Sequence, residues 1–296
     1  MSTSDSNSVD RLPQREQYLK QSHGNPFAIR GLWWRPFHTW YEGSRVGRLP
    51  WGIRHLAMVL RNWLLYRKPR RIEYRYASDG FATKSRLAFM TDPTFVHAYE
   101  RMLLARGEAN DLGIHLRVHQ ALWVASVCRK LPGDFVECGT GRGLIFSAIL
   151  DYLKDWNSLG KTAWLFDTFS PYHLNQQSGQ NDPSTGVSGN YAVNLESTRR
   201  NFQEWPRVNL VPGMLPDSLN TVDIKSIALL HLDLNFAAAE ETVLSKLWPL
   251  VVEGGIVLLD DYGQTDSQNE THTRIAKQFG VEILTTGSAQ GVIIKR

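Results

Sequence analysis

Val281-Glu282-Ile283-Leu284-Thr285 and Gly291-Val292-Ile293-Ile294-Lys295 stand near the end of the chain, with five residues between them. Both runs are rich in β-branched residues and read as strands. Five residues cannot carry a helical crossover, which takes a dozen or more, so the pair must be an antiparallel hairpin. Upstream, short apolar runs alternate with helical stretches. A helix near Thr271–Phe279 follows the strand Ile256–Leu259. A helix from about Ala239 to Val251 follows Ile227–Leu232, and one near Glu196–Phe202 precedes Val208–Val211. Ala163–Phe166 and Asp134–Cys138 complete the set, the latter leading into a helix through Phe146 to Leu153. Seven strands with helices between most of them predict an α/β fold: a doubly wound, seven-stranded, mostly parallel sheet whose last strand is antiparallel.

Two helices precede this sheet. Thr91-Asp92-Pro93 is a helix start with proline near the first turn and leads into Phe95–Leu104; a second helix, about Ile114 to Lys130, stops before Pro132-Gly133. Residues 1–29 are polar and read as a flexible tail. Residues 30–87 read as a basic, Trp-rich helical N-terminal extension, and 88–296 as the α/β domain. From Arg30 to Arg75 there are 11 Lys/Arg against 2 Asp/Glu, whereas the rest of the chain has 22 against 27. The overall charge of +4 therefore comes from one segment. A helix from Trp51 to Tyr66 fits its apolar spacing. Cys128 and Cys138 have no metal-ligand spacing, so no disulfide framework is expected. Met1 to Asp10 has no apolar core of a leader, and no stretch approaches the roughly 20 apolar residues of a membrane span. The expectation is a cytoplasmic protein.

The turn after the first sheet strand is Glu137-Cys138-Gly139-Thr140-Gly141-Arg142-Gly143. Alternating glycines let backbone approach a ligand closely. The G-x-G-x-G spacing differs from the G-x-G-x-x-G of pyrophosphate-binding turns and disfavours a nicotinamide oxidoreductase. An acid directly upstream would repel a diphosphate but suits the cationic amino-acid end of S-adenosylmethionine. Asp167 ends the next strand, where an acid can accept both ribose hydroxyls, although aspartates also start turns. Thr140, Phe169, Gly213 and Asp233 complete the expected cofactor-lining set. The reversed last strand points the same way, since it separates class I methyltransferases from most dinucleotide-binding folds.

Ile227–Leu232 runs into Asp233, and Ile256–Leu259 into Asp260-Asp261. These acids are 27 residues apart with a helix between, which makes one βαβ unit. Neighbouring strands lie about 4.8 Å apart, so three carboxylates would converge at one end of the sheet. Crowded acids repel, and a hard divalent cation such as Mg²⁺, bound by oxygen, relieves this. Asn235 adds another oxygen. Were an ammonium or arginine wedged in to fill the gap between the acids, the case for metal-assisted methylation would collapse.

The segments Leu230-His231-Leu232-Asp233, Glu240-Glu241-Thr242, Leu247-Trp248-Pro249, Gly254-Gly255 and Asp260-Asp261-Tyr262-Gly263 resemble the macrocin O-methyltransferase family of metal-dependent sugar methyltransferases. Gly133 to Gly139 is similar to its cofactor strand. Arg117-Val118-His119 through Trp123 and Phe89 to Pro93 are similar to its preceding helices. The likeness spans roughly residues 88 to 296. It implies that Asp233, Asp260 and Asp261 hold a metal that grips adjacent sugar hydroxyls. Asn235 stands where relatives often have a second Asp, and Phe236-Ala237-Ala238 replaces a Tyr-bearing stretch.

The expected function is thus S-adenosylmethionine-dependent, divalent-metal-assisted O-methylation of a hydroxyl on a sugar or glycosylated acceptor; the expected partner is a small glycosylated or polyol molecule. A catechol-like acceptor is the alternative within the fold, and a non-catalytic cofactor-binding or membrane-recruiting module is the alternative outside enzymes. Three histidines are candidates for the proton: His173 in the long loop Ser170–Asn190, His231 on the Asp233 strand, and His272 on the helix after Asp260-Asp261. A lid histidine arrives only with substrate, which ranks His173 first. The basic Trp-rich arm suits an anionic membrane surface at the inner face, or a partner subunit. Packing on the domain is its plainer reading. Nucleic acid is not expected as a partner, and a homo-oligomer is.

Overall fold

A computed structural model of the chain describes residues 74–107, 111–170 and 194–296. The expected tail, the Trp51–Tyr66 helix with all but the last residues of the basic segment, and the loop from 171 onward that carries His173 lie outside the described residues. Two compact units divide the chain: residues 1–77 with 82–86, and residues 78–81 with 87–296. Strands β1 (Tyr76–Ser78) and β2 (Phe81–Thr83) form a two-stranded sheet. Its turn is Asp79-Gly80, with φ of 50° and 70°, the left-handed pair that a two-residue hairpin requires.

In the larger unit, helix α1 (Pro93–Arg106) starts on Asp92, whose carboxylate accepts from Thr94 N and Phe95 N, and stops at left-handed Gly107. Helix α2 (His115–Cys128) buries Val118, Ala121, Leu122 and Ala125, an i, i+3, i+4, i+7 stripe. The sheet strands are β3 (Asp134–Cys138), β4 (Ala163–Asp167), β5 (Val208–Pro212), β6 (Ile227–Leu232), β7 (Val251–Leu259), β8 (Leu284–Thr285) and β9 (Gly291–Ile294). Between them run α3 (Leu144–Tyr152), α4 (Leu195–Asn201), α5 (Ala237–Leu247) and α6 (Asp266–Gln278). Strand order is β5-β4-β3-β6-β7-β9-β8. Strands β3 to β7 are parallel, and β9 runs antiparallel between β7 and β8. Every residue of β6 is buried, as a central strand covered on both faces must be.

Boundaries moved where turn chemistry outweighed periodicity. Helix α5 ends at Leu247 rather than Val251, because Trp248-Pro249-Leu250 forms a tight turn. Strand β7 then starts at Val251, and its pairing with β6 slips between Val251 and Ile256, where Gly254 takes φ 76°. Thr265 caps α6, so that helix starts at Asp266, five residues before the expected start. Val281 donates to Ala276 O at the helix end, which leaves only Leu284–Thr285 for β8.

The chain winds outward from β3 through β5, then returns to β6 on the other side of β3 and winds the opposite way. Strand order reverses there, and ligands of open α/β sheets bind outside the carboxyl ends at such a point. Those ends are Gly139 and Asp233.

Candidate functional site

The turn after β3 is fixed by backbone. Gly139 N and Thr140 N both donate to Phe166 O, at 2.9 and 3.0 Å, and Asp233 N donates to Cys138 O at 2.9 Å. Gly139 has φ 96°, and a Cβ there would lie 1.8 Å from the carbonyl oxygen of Asp233. Gly143, at φ 78°, makes room for the Phe202 ring, 2.2 Å from where a Cβ would be. Gly141 differs: its φ is 53°, yet nothing lies within 4 Å of its absent side chain. Two glycines serve packing, and the middle one leaves open space.

Asp167 ties the neighbouring loops together. Its Oδ2 accepts from Gly141 N and its Oδ1 from Phe169 N, each at 2.8 Å, while its carbonyl accepts from Gly213 N at 3.0 Å. Each carboxylate oxygen retains lone-pair capacity for a hydroxyl. The aspartate is both turn-former and end-of-strand acid. Glu137 is buried, with Oε1 3.0 Å from His231 Nδ1 and Oε2 unpartnered among the described residues.

Asp233, Asp260 and Asp261 converge: one carboxylate oxygen from each lies within 4.8 Å of the others. Parallel pairing of β6 with β7, Leu232 opposite Leu259, brings them to the same level. The three oxygens are near enough to one another for a single hard divalent cation to draw them in as ligands. Helix α2 adds what the sequence did not announce. Arg117 Nη1 binds Asp260 Oδ2 and lies 3.4 Å from Asp261 Oδ1; Nε and Nη2 hold the two oxygens of Asp79 at 3.2 and 3.3 Å. The anticipated wedge therefore exists for two of the three acids; no Arg117 contact with Asp233 occurs among the described residues.

Charge remains in excess nonetheless. Among the described residues, Glu137, Asp233, Asp260, Asp261 and Asp79 have Arg117 and His231 as their cationic partners. Burial would hold Asp260 up, but nearby His231 and the Arg117 charge bring it down to about 2. Burial pushes Asp261 up to about 6, and the neighbouring Asp260 charge adds to this. Asp233 is raised well above the carboxylate range by burial and then by Asp260 and Asp261. Asp261 Oδ2 is buried with no hydrogen-bond partner among the described residues. An all-oxygen donor set with uncompensated charge and an orphaned oxygen fits a hard cation.

Two of the three histidine candidates, His231 and His272, lie in the interior. His231 is fully buried between Glu137 and, 3.5 Å from its Nε2, Asp260; burial opposes its charge, but these two carboxylates lift it to about 10. It is wedged between two acids. His272 is buried with Nε2 2.9 Å from Glu240 Oε2, and Glu240 Oε1 accepts from Leu234 N, next to Asp233. Both imidazoles lie in the interior against carboxylates. Asn235, at φ 55°, donates to Asp233 Oδ1 at 3.3 Å, and the adjacent Phe236 is 43% exposed.

Residues 116–283 match the family model described as macrocin-O-methyltransferase (TylF). The chain belongs to this family. It is 29% identical over 151 residues to demethyldecarbamoylnovobiocin O-methyltransferase of Streptomyces niveus, covering 45% of this chain and 54% of that one. Mycinamicin III 3''-O-methyltransferase of Micromonospora griseorubida is 27% identical over 142 residues, 45% of this chain and 56% of that one. The chain thus spans about half the length of the curated relatives it matches. Among solved structures, the O-methyltransferase NovP superposes with a TM-score of 0.51 at 24% identity, over 60% of this chain and 79% of that one. The class I methyltransferase sheet, with its reversed last strand, is shared.

Two residues of the site escaped sequence reading. Arg117 carries no local signal, because its partners lie 38 and 143 positions away. Asp79-Gly80 did carry one: Asp-Gly between short alternating runs is a hairpin signature, and that hairpin presents the Asp79 carboxylate.

Proposed function

We propose that this protein is an S-adenosylmethionine-dependent O-methyltransferase that methylates a sugar hydroxyl of a glycosylated small molecule, aided by a divalent cation on Asp233, Asp260 and Asp261. The observation that carries the reading is the approach of the Gly139 backbone to the Asp233 carbonyl, which sets a glycine-rich turn beside three clustered acids. The relatives act, by their names, on a novobiocin precursor and a mycinamicin, and they favour a glycosylated acceptor over a catechol-like one.

S-Adenosylmethionine supplies an electrophilic methyl, and a divalent cation supplies a Lewis acid that lowers the acceptor hydroxyl's pKa. The chain's own work is alignment. Gly141 would leave room for the cofactor, Asp167 would offer acceptors to its ribose, and Glu137 would supply a carboxylate to its cationic end. Fixing two reactants in line is worth roughly 7–11 kcal/mol of barrier. Asn235 cannot take a proton, and His231 and His272 are buried. His173, outside the described residues, is therefore the proposed general base. His173→Ala is expected to lower kcat about 10²- to 10⁴-fold with little change in cofactor affinity; normal turnover at saturating acceptor would reject that role.

The reading is tested by calorimetric titration with S-adenosylmethionine, with and without Mg²⁺, followed by turnover on glycosylated acceptors. Expected are cofactor binding and turnover that stops with chelator. Cofactor binding without any metal-dependent turnover would leave the non-catalytic module standing instead.

A further inference from the structure

We infer that Asp79 and Arg117 form a positioning clamp that orients Asp260 for its cation; the inference rests on the metal reading above. Asp260 is held at both oxygens, Oδ2 by Arg117 from α2 and Oδ1 by Gln290 from just before β9. Arg117, on α2, binds its Oδ2 directly and also donates to its backbone carbonyl at 3.3 Å. Three residues along α2, Gln120 Oε1 accepts from Ser288 Oγ at 2.8 Å. Ser288 Oγ lies 3.4 Å from Gln290 Oε1, and Gln290 Nε2 donates to Asp260 Oδ1 at 2.6 Å. Ser288 and Gln290 are fully buried, so water does not compete for these bonds.

The far end of the guanidinium is fixed as well. Asp79 takes Nε and Nη2 side by side, the planar fork that Arg forms and Lys cannot. The Asp79-Gly80 turn holds the Asp79 backbone at φ 50°, which fixes the point from which its carboxylate reaches. Together Asp79 and Arg117 are formally neutral. The pair can therefore aim Asp260 without repelling a cation at the free face of the three acids. Partners of metal-binding groups that fix ligand orientation commonly matter 10- to 100-fold in affinity.

Charge and geometry predict opposite results, which makes the clamp testable without turnover. Arg117→Met removes a positive charge and by electrostatics alone should tighten cation binding. The clamp requires the reverse: Mn²⁺ binding, read by calorimetry or by the electron paramagnetic signal of free Mn²⁺, weaker by about 10- to 100-fold. Arg117→Lys keeps the charge but loses the fork, and should fall between wild type and Arg117→Met. It also guards against a Met variant that does not fold, as melting temperature will show. Equal or tighter Mn²⁺ binding in Arg117→Met, or wild-type affinity in Arg117→Lys, overturns the clamp alone. Wild-type protein that binds no Mn²⁺ overturns the metal reading and the clamp together.

Discussion

Asp261→Asn is expected to lower kcat/KM at least about 100-fold, near 2.7 kcal/mol of transition-state stabilisation, while making the metal-free protein more stable. The substitution preserves shape and one oxygen but removes a charge that a cation needs. Stability moves the other way because Asp261 is held ionised at a cost. Burial, then Asp260, raises it from 3.8 to about 6. The folded state thus binds its proton more tightly than the unfolded chain does. Stability from this group is full below pH 3.8, declines as pH rises to about 6, and stays low above that. The loss at pH 8 is on the order of 1–3 kcal/mol. With chelator present, Asp261→Asn should melt above wild type at pH 8, by about 2–4 °C per kcal/mol, and the gap should shrink toward pH 4. Unchanged, metal-dependent turnover in the variant would remove Asp261 from the ligand set.

Gly139→Ala should be more damaging than any loss of a single hydrogen bond. The new Cβ would sit 1.8 Å from Asp233 O and 2.6 Å from its carbonyl carbon, and φ is 96°. The obstacle is backbone at the end of a central strand, so nothing flexible can yield. A loss above about 4 kcal/mol is expected, with no measurable S-adenosylmethionine binding in whatever folds. Gly141→Ala is the control. Its Cβ meets nothing within 4 Å, so the left-handed strain of about 1–2 kcal/mol is its main effect on stability. It should fold, yet bind cofactor more weakly, since its methyl fills the open side of the turn. Melting temperature and calorimetry separate the two variants. Equal stability of both would show that Gly139 is not pinned against Asp233.

Element types and the reversed last strand were legible because each rests on local pattern: buried runs, helical spacing, and a five-residue gap too short for a crossover. Ends were less legible. The Trp248-Pro249-Leu250 turn and the Thr265 cap act over three or four residues and override a periodicity spread over a dozen. The acids were readable as strand-end residues. Their mutual distance was not, since it depends on β6 and β7 being neighbours in register.

The sequence by itself determined the α/β class, the glycine turn, and which acids end which strands, because those features are written in residues close together along the chain. Only the tertiary structure decided that Arg117 and Asp79 join the acids, and that His231 and His272 lie buried against carboxylates. Burial and charge pairing depend on what packs against a side chain from distant segments, and no local spacing encodes that.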